Sequence, residues 1–538
     1  MALVDRSLER RLEPIFAWIV ARRWLIIAIY GVLVVGAGFL AVDIPRDNSL
    51  ENLVVSSDPD VAASHEFEKI FPEAATVYLM LETDEPLSAG PLADLETLEA
   101  QLGAIDGVNA FSIATVWRRS RPGAGSPVDD MTTFSAIVEG TDFFRRQGLI
   151  GDEFLAIVLA LDAPEPEIRD RLLDRITEIV SAVPGWSTSI DRVRRVGRPW
   201  IDAWLERETA ASSVKFFPLF GVFVVSLVLG LYRSWRALVA ILVSLAAAVL
   251  FGMAFAGLAG LGFTIVSSLV PLTLMVTATA SLVYLHSRFV DQPADVDLAT
   301  HRIRALANKA VAVSASVFAA AVGFAALTVS NIRPIRELGI WTSGGLLLGW
   351  VVCFTLYPAL QTVLRAPTRR QQQVAGAWVI RAADVIPQWS YRWRWPLVTI
   401  AFALAVSGLI ALLGIPGVLP GMELETDALA YIDRDEPVAE DTRHFQENVL
   451  GIEVAKVWIT TPEYGVLDPE FILGLDTLTR ELENEPAVGS VVGLASIVRL
   501  RRYLSGLGDE VPTDPAALDR LMADLEQRML TEPSISQW

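Results

Sequence analysis

Seven apolar stretches of the chain are each long enough to cross a lipid bilayer. A bilayer core of about 30 Å needs roughly 20 apolar residues in helical form, because every backbone group must be paired within the hydrocarbon. The 538 residues are 52% hydrophobic, and the mean hydropathy is +0.43. We therefore predict a membrane protein with an all-α transmembrane bundle of about seven helices: Trp24–Val42, Phe216–Tyr232, Leu238–Leu258, Phe263–His286, Ala310–Val329, Ile340–Leu364 and Leu397–Leu413.

The formal net charge of −19 is concentrated in two regions outside the apolar stretches. Residues 43–213 contain 31 acidic and 15 basic residues, and residues 416–538 contain 24 and 9. The N-terminal segment and alternate short loops are instead basic, which by the positive-inside rule places them in the cytoplasm. We expect a cytoplasmic N-terminus and two extracytoplasmic acidic regions. An acidic exterior also argues against nucleic acid as a partner.

The first soluble region combines strand and helix patterns. Alternating or continuous apolar runs predict strands at Thr76–Glu82, Val108–Val116 and Phe154–Asp162, and helical periodicity predicts helices at Leu92–Ile105 and Glu165–Val183. Strand, helix and strand in succession predict two βαβ-type units in an α+β layer. The proline- and glycine-rich segment Arg118–Met131 is predicted to be a loop.

The second soluble region repeats the start of the first. Phe67 matches Phe445 and Pro59 matches Pro437 at a spacing of 378 residues, and five further pairs follow at a spacing of 380. Each copy follows a single apolar span, so an internal duplication is predicted. By this symmetry the second unit looks incomplete, and the chain is expected to be either the front part of a longer protein or a natural half. The five further pairs are Val77 with Val457, Leu95 with Leu475, Leu98 with Leu478, Leu102 with Leu482 and Val108 with Val488.

These patterns predict the following domains. Residues 1–23 form a cytoplasmic segment that either lies on the membrane surface or extends the first span, with a kink or break at Pro14. The remaining predicted boundaries are 24–42 for the first span, 43–213 for an extracytoplasmic α+β domain, 214–365 for a five-helix bundle, 366–396 for a cytoplasmic or interfacial linker, 397–414 for the seventh span and 415–538 for a second, apparently incomplete extracytoplasmic α+β domain.

Residues 216–364 carry five ordered sequence blocks: Arg233–Ala237, Gly257–Gly262 with Ile265–Ser267, Val322–Leu327, Ile332–Gly339 and Leu356–Ala359. In this order and spacing they resemble the core of the resistance-nodulation-division superfamily of exporters. The resemblance is strongest to the lipid-exporter branch, which contains the mycobacterial large membrane proteins (MMPL) and hopanoid transporters. The chain looks like the N-terminal part of such a protein. Sterol-sensing domains share the five-helix unit.

The resemblance implies a multi-pass transporter of the bacterial inner membrane that exports hydrophobic or amphiphilic, lipid-like molecules, with porter-like extracytoplasmic domains and a proton-relaying carboxylate on the fourth span. It also implies a homo-oligomer, a second-half partner or an adaptor. We expect no enzymatic activity, because no Gly-x-Ser-x-Gly or phosphate-loop motif is present. No cofactor and no metal are expected either, because the four histidines are scattered.

The fourth span departs from the family pattern. Counting back from the basic residue that ends it, the acidic position is occupied by Ala280. The remaining polar side chains near this position are those of Thr277, Thr279, Ser281 and Tyr284, and none exchanges a proton readily near neutral pH.

Thr277, Ser281 and Tyr284 share one helix face, which leaves two interpretations. They are either a residual polar site facing a carboxylate in a partner half, or positions of interhelical packing. His286, near the end of the span, is expected to meet lipid headgroups more readily than to relay protons. At the level of function, the alternative to a proton-coupled exporter is a non-pumping lipid- or sterol-sensing scaffold.

Overall fold

The computed structural model describes residues 2–42, 44, 66–67, 69–70, 75–121, 123, 125–163, 165–293, 295–368, 377–415, 418–419, 421–422, 428–452, 454–462, 465–486 and 488–531. The chain forms two compact units, one of residues 1–58 and 206–425 and the other of residues 59–205 and 426–538. Pro59 of the predicted repeat lies outside the described residues.

The described helices are, in chain order, α1 (Ala2–Ala21), α2 (Arg23–Val42), α3 (Ala89–Gly103), α4 (Ile113–Ser120), α5 (Met131–Glu139), α6 (Phe143–Arg146), α7 (Pro166–Ser181), α8 (Arg198–Tyr232), α9 (Trp235–Ala259), α10 (Leu269–Val290), α11 (Leu298–Ala325), α12 (Arg333–Val363), α13 (Ala377–Arg392), α14 (Arg394–Leu413), α15 (Pro437–Asn448), α16 (Pro469–Glu483), α17 (Leu494–Leu504) and α18 (Pro515–Thr531). The strands are β1 (Ala75–Glu82), β2 (Val108–Ser112), β3 (Phe154–Leu161) and β4 (Arg192–Val196).

Seven of the described helical segments are long and apolar enough to cross a membrane, which confirms the predicted number of spans. The fifth and sixth begin earlier than predicted, because hydropathy detects only the part of a helix that matches the bilayer core. The Asp297 side chain, for example, accepts a hydrogen bond from Thr300 N at 3.0 Å and starts α11 well before its apolar stretch. The spans are Arg23–Ala41, Lys215–Tyr232, Trp235–Ala259, Leu269–Val290, Leu298–Val329, Arg333–Val363 and Arg394–Leu413.

Helix α1 continues through Pro14 without a break, contrary to the expectation of a broken segment. Its second half packs against the bundle, where Phe16 and Ile19 are buried and Phe16 lies 5.8 Å from the ring of Phe354. A single turn residue, Arg22, separates α1 from α2. The N-terminal segment is therefore part of the helical unit rather than only a surface helix.

The core of the bundle depends on close approach between α9, α10 and α12. A Cβ at Gly252 on α9 or at Gly345 on α12 would meet the side chain of Leu274 on α10. The buried Trp341 Nε1 also donates to Gly252 O at 2.8 Å. These glycines let a large side chain fill the centre of the helix packing, as small residues commonly do in membranes. By contrast, α14 has no buried residue.

The first soluble copy contains a four-stranded antiparallel sheet in the order β2-β3-β1-β4. The two βαβ units, β1-α3-β2 and β3-α7-β4, are interleaved in this sheet, which is the split βαβ arrangement. Val77, Leu79 and Leu81 of β1 are fully buried against the helices. The predicted α+β layer is therefore confirmed.

Three local predictions in this copy were wrong in detail. The strand predicted at Val108–Val116 ends at Ser112, because the Ser112 side chain accepts from Ala114 N at 3.2 Å and begins α4. Helix α4 and a 3₁₀ turn at Pro127–Asp130 occupy both ends of the predicted loop Arg118–Met131. The strand β4 was not predicted, because its sequence Arg-Val-Arg-Arg-Val is mostly charged.

The two soluble copies repeat each other in structure as well as in sequence. Helix α16 begins and ends 380 residues after α3. The copies also exchange equivalent aromatic contacts. The ring of Phe445, in the second copy, lies 5.3 Å from that of Tyr78 in the first, and the ring of Phe67, in the first, lies 6.0 Å from that of Trp458 in the second. The duplication thus includes a reciprocal packing of one copy on the other.

The second copy differs from the first in its strands. Residues 455–460 correspond to the start of β1, but they are exposed and form no strand with other described residues. Val457 is 67% exposed, whereas its counterpart Val77 is fully buried. The described part of the second copy thus contains helices and leaves this segment exposed.

Candidate functional site in the transmembrane bundle

Helix α10 starts from a hydrogen-bonded turn in which two hydroxyl side chains pair with each other's backbone. Thr264 N donates to Ser267 Oγ at 2.7 Å, and Ser267 N donates to Thr264 Oγ1 at 3.1 Å. This turn immediately precedes the helix, which begins at Leu269. The polar residues of α10 separate onto two opposite faces, since successive residues are about 100° apart.

The first face carries most of the predicted site residues. Ala280 is exposed, and Tyr284 is 43% exposed. Lys309 of α11 donates to Tyr284 Oη at 2.9 Å and lies 4.1 Å from the centre of its ring. Ser281 is buried and Thr277 is half-buried, and Ser281 Oγ donates to Thr277 O at 2.9 Å. This face carries polar groups that are already paired, around a position where the expected acid is an alanine.

Thr277 and Ser281 also line a small, mostly apolar cleft between α9, α10, α11 and α12. Gly345, Gly349 and Cys353 form its opposite wall on α12. The glycines keep the cleft open, and the hydroxyl oxygens are the polar atoms that α10 contributes. The cleft has room for about one water molecule.

The second face points into the bundle and was not recognised from the sequence. Thr279 and His286, two turns apart, are 4% and 1% exposed. Tyr357 Oη lies 2.7 Å from His286 Nδ1, and Gln361 Nε2 donates to Tyr357 Oη at 3.1 Å. The ring of Tyr232 stands edge-on to the imidazole at 4.5 Å. Four side chains from α8, α10 and α12 therefore form one buried polar cluster.

The burial of His286 contradicts the expectation that it meets lipid headgroups. From hydropathy alone, a histidine near the end of a span is expected at the membrane interface. The position of His286 around the helix axis instead directs its side chain inward, against α8 and α12. A sequence signal for its partners did exist. Tyr357 and Gln361 are polar residues one turn apart in an otherwise apolar span, and Tyr357 lies in the block Leu356–Ala359.

Two polar atoms on the inward face have no hydrogen-bond partner in the structure, Thr279 Oγ1 and His286 Nε2. Buried polar atoms of this kind are rare and call for a physical explanation. The other buried histidine of the unit, His301, has none of this character, because its Nε2 lies 2.9 Å from Phe289 O.

Within the seven spans, as bounded by the described helices, Glu337 is the only carboxylate. It lies at the start of α12, where it accepts from Arg333 Nε at 2.8 Å and from Gly262 N at 3.3 Å. Glu337 thus forms an ion pair with Arg333, four residues earlier and one helical turn away. In the described part of the chain, no group of three or more His, Cys, Asp and Glu side chains is placed to hold a metal ion.

The seven apolar helices, five of which form one bundle between the two soluble copies in sequence, define a multi-pass membrane protein. Residues 173–399 match the model of the MMPL family, which identifies this region as an MMPL-family membrane region and supports membership of the chain in the resistance-nodulation-division superfamily. A search of curated proteins finds no match.

Proposed function

We propose that the protein is an inner-membrane transporter of the resistance-nodulation-division type, which exports hydrophobic or amphiphilic, lipid-like molecules and is driven by the proton gradient. The observation that carries the proposal is the family match, which spans the five-helix bundle.

The proposal includes the location and topology of the chain. We place it in a bacterial inner membrane, with the N-terminus in the cytoplasm and the acidic domains of residues 43–213 and 415–538 on the other side. The basic short loops support this orientation. In this arrangement the two outer domains guide the cargo, residues 214–365 supply conformational coupling, and residues 366–396 link the bundle to the seventh span on the cytoplasmic side.

The outward face of α10 is the proposed contact with a partner. Ala280 and Tyr284 are exposed on this face, and their exposure supports a surface that is covered in an assembly. A second copy of the chain, a second-half bundle or an adaptor would occupy it. Thr277 and Ser281, predicted with them, line the cleft inside the bundle, and Thr279 is buried on the inward face.

A second function is favoured by one observation. The position of the usual relay acid is Ala280, and the only carboxylate in the described spans lies at a helix start. A bundle of this kind without proton coupling would be a lipid- or sterol-sensing scaffold. Such a protein would bind lipid without moving it.

Both functions can be tested with the purified chain in proteoliposomes of phosphatidylethanolamine and phosphatidylglycerol that contain a fluorescent NBD-labelled phosphatidylethanolamine. Dithionite bleaches the label in the outer leaflet only, so it reports lipid movement. A transporter increases the bleached fraction when an acidic exterior is imposed, and nigericin, which collapses the pH gradient, abolishes the increase.

Lipid binding without any effect of the pH gradient would favour the scaffold. The control is a set of vesicles without protein, in which the bleached fraction stays constant. Movement that is equal with and without the gradient would contradict proton coupling while keeping the lipid substrate.

A further inference from the structure

We propose that His286 is the proton-carrying group of the bundle, which takes up a proton at Nδ1 and releases one from Nε2, with Tyr357 and Gln361 as positioning residues beside Nδ1. The inference rests on the proposed transport function and assigns its proton site. The sequence predicted the proton relay on the outward face of α10, whereas His286 lies on the inward face.

The hydrogen-bond partners favour one tautomer of the ring. Gln361 Nε2 donates to Tyr357 Oη at 3.1 Å and also lies 3.3 Å from His286 Nδ1, and because an amide donor faces Nδ1 we assign the Tyr357 hydroxyl, 2.7 Å away, as the donor to Nδ1. The neutral ring then carries its hydrogen on Nε2, which is buried and has no partner. An unpaired buried N–H destabilises a fold by about 1–3 kcal/mol. The cluster thus retains a donor that no protein group satisfies.

The same geometry allows a proton to pass through the ring. A proton from water in the bundle binds to Nδ1, and the Tyr357 hydroxyl, which can also accept, turns to accept from the new N–H. The imidazolium then releases its Nε2 proton to another water, which leaves the neutral ring in its Nδ1–H tautomer, donating to Tyr357 Oη. One proton enters at Nδ1 and one leaves from Nε2, and the reverse transfer restores the Nε2–H tautomer.

The groups around the ring contain no competing acid. Tyr232 faces it from α8, and Cys353 lies one turn before Tyr357 on α12. Arg236, the only charged residue of α9, lies over the ring of Trp235 instead. In the described part of the chain, none of the groups in contact with His286 is a carboxylate.

The cations nearby are separated from the ring by an aromatic side chain. Phe289 lies 5.8 Å from the imidazole, His301 lies 6.2 Å beyond it, and Arg302 sits over the same phenyl ring at 5.7 Å. Arg288 is on α10 itself, and its Nε is buried without a partner. None of these cations is in contact with the imidazole among the described residues.

The test compares two buried histidines in the same vesicle assay. His286→Gln is expected to lower the gradient-dependent rate of NBD-phosphatidylethanolamine movement about a hundredfold, the usual scale for loss of a proton-transfer group. His301→Gln, in which the amide can still donate to Phe289 O, is expected to keep the rate. Fluorescence binding of the same lipid shows whether each variant is folded.

A second measurement is independent of transport. With His65, His301 and His444 replaced by Gln, ¹⁵N-histidine NMR of the chain in nanodiscs observes His286 alone. We expect its Nε2 proton to exchange with water, and Tyr357→Phe to shift the tautomer ratio while lipid binding is retained.

The outcomes separate the two proposals. If the unaltered chain is coupled to the gradient and His286→Gln is equally coupled, the assignment of His286 is overturned and the transport function stands. If the unaltered chain shows no gradient effect, the transport function fails and the NMR result decides alone. A His286 signal that neither exchanges its proton nor changes between about pH 8 and about pH 5 would then overturn the site.

Discussion

At the residue scale, the duplication provides matched positions with opposite environments. Val77 and Val457 occupy equivalent places in the two copies, yet one is fully buried and the other is 67% exposed. The same residue type in the same local pattern therefore contributes to the core in one copy and to the surface in the other. Burial depends on which strands lie alongside, and periodicity alone does not reveal it.

The valine pair yields a prediction about stability. Val77→Ala removes two buried methyl groups and should lower the free energy of unfolding by about 2 kcal/mol. Val457→Ala removes exposed groups and should change it by less than about 0.5 kcal/mol. Hydrogen exchange of the β1 amides in the full chain, in detergent, measures both. Equal effects would show that residues 454–460 are as buried as β1.

A second prediction concerns pH. The Arg192 side chain donates to Glu440 at 2.9 Å, and this hydrogen bond, with one from Arg194, holds the pKa of Glu440 below its ordinary value. The stabilisation is therefore present above the ordinary pKa of a glutamate and is lost as the pH falls through the lowered value.

The protection of the α15 amides, corrected for the intrinsic pH dependence of hydrogen exchange, should accordingly fall in acid. Glu440→Gln, which cannot titrate, should remove this part of the pH dependence. Asp433→Asn, an exposed acid of the same copy, is the control and should leave it unchanged.

At the scale of elements, the membrane helices are joined by close packing around glycine. Gly252 and Gly345 admit the side chain of Leu274 between α9 and α12. The relative position of α9, α10 and α12 therefore depends on the lack of a side chain at both glycines. Any motion that couples the cleft to the His286 cluster must pass through this contact, because α10 carries both.

The glycine contact predicts a clear difference between two substitutions. Gly345→Val should lower stability by about 1–3 kcal/mol, because the new side chain meets Leu274. Gly408→Val on α14, where nothing lies within 4 Å, should have little effect. Thermal unfolding of both variants in detergent measures the difference. A similar loss at the two positions would mean that α14 is packed in the membrane.

The number of spans, the βαβ order and the duplication could be predicted from the sequence, because hydropathy and apolar period determine them. The strand β4 was missed because its charged side chains pair with the second copy, through contacts such as Arg194 with Asp441 at 3.1 Å. The His286 cluster was missed for a related reason. Its partners Tyr232 and Tyr357 come from other helices, and only packing brings them together.

At the scale of the whole molecule, the chain consists of a membrane unit and a unit in which both soluble copies take part. Each unit is built from segments that are far apart in sequence. The membrane match of residues 173–399 falls between the two soluble copies and overlaps the end of the first. The proposed topology places both copies on the same side of the membrane.

The topology can be tested with single cysteines. The chain has one cysteine, Cys353, which is buried and can be replaced by alanine. Ser181→Cys and Ser505→Cys, one in each soluble copy, should react with a membrane-impermeant maleimide in intact cells. Arg304→Cys should react only after the cells are made permeable. Labelling of Arg304→Cys in intact cells would reverse the proposed orientation.

The reciprocal packing of the two copies has a consequence for how the chain is made. Phe445 covers Met80, Phe154, Ala156 and Val196 on the sheet of the first copy, and Tyr503 Oη donates to Ile137 O across 366 residues of sequence. At about 5–20 residues per second, a ribosome needs roughly 20–70 s to synthesise that interval. During this time the first sheet keeps an uncovered apolar face while the membrane helices are inserted. The nascent protein thus depends on protection from aggregation for a period set by the length of its own bundle.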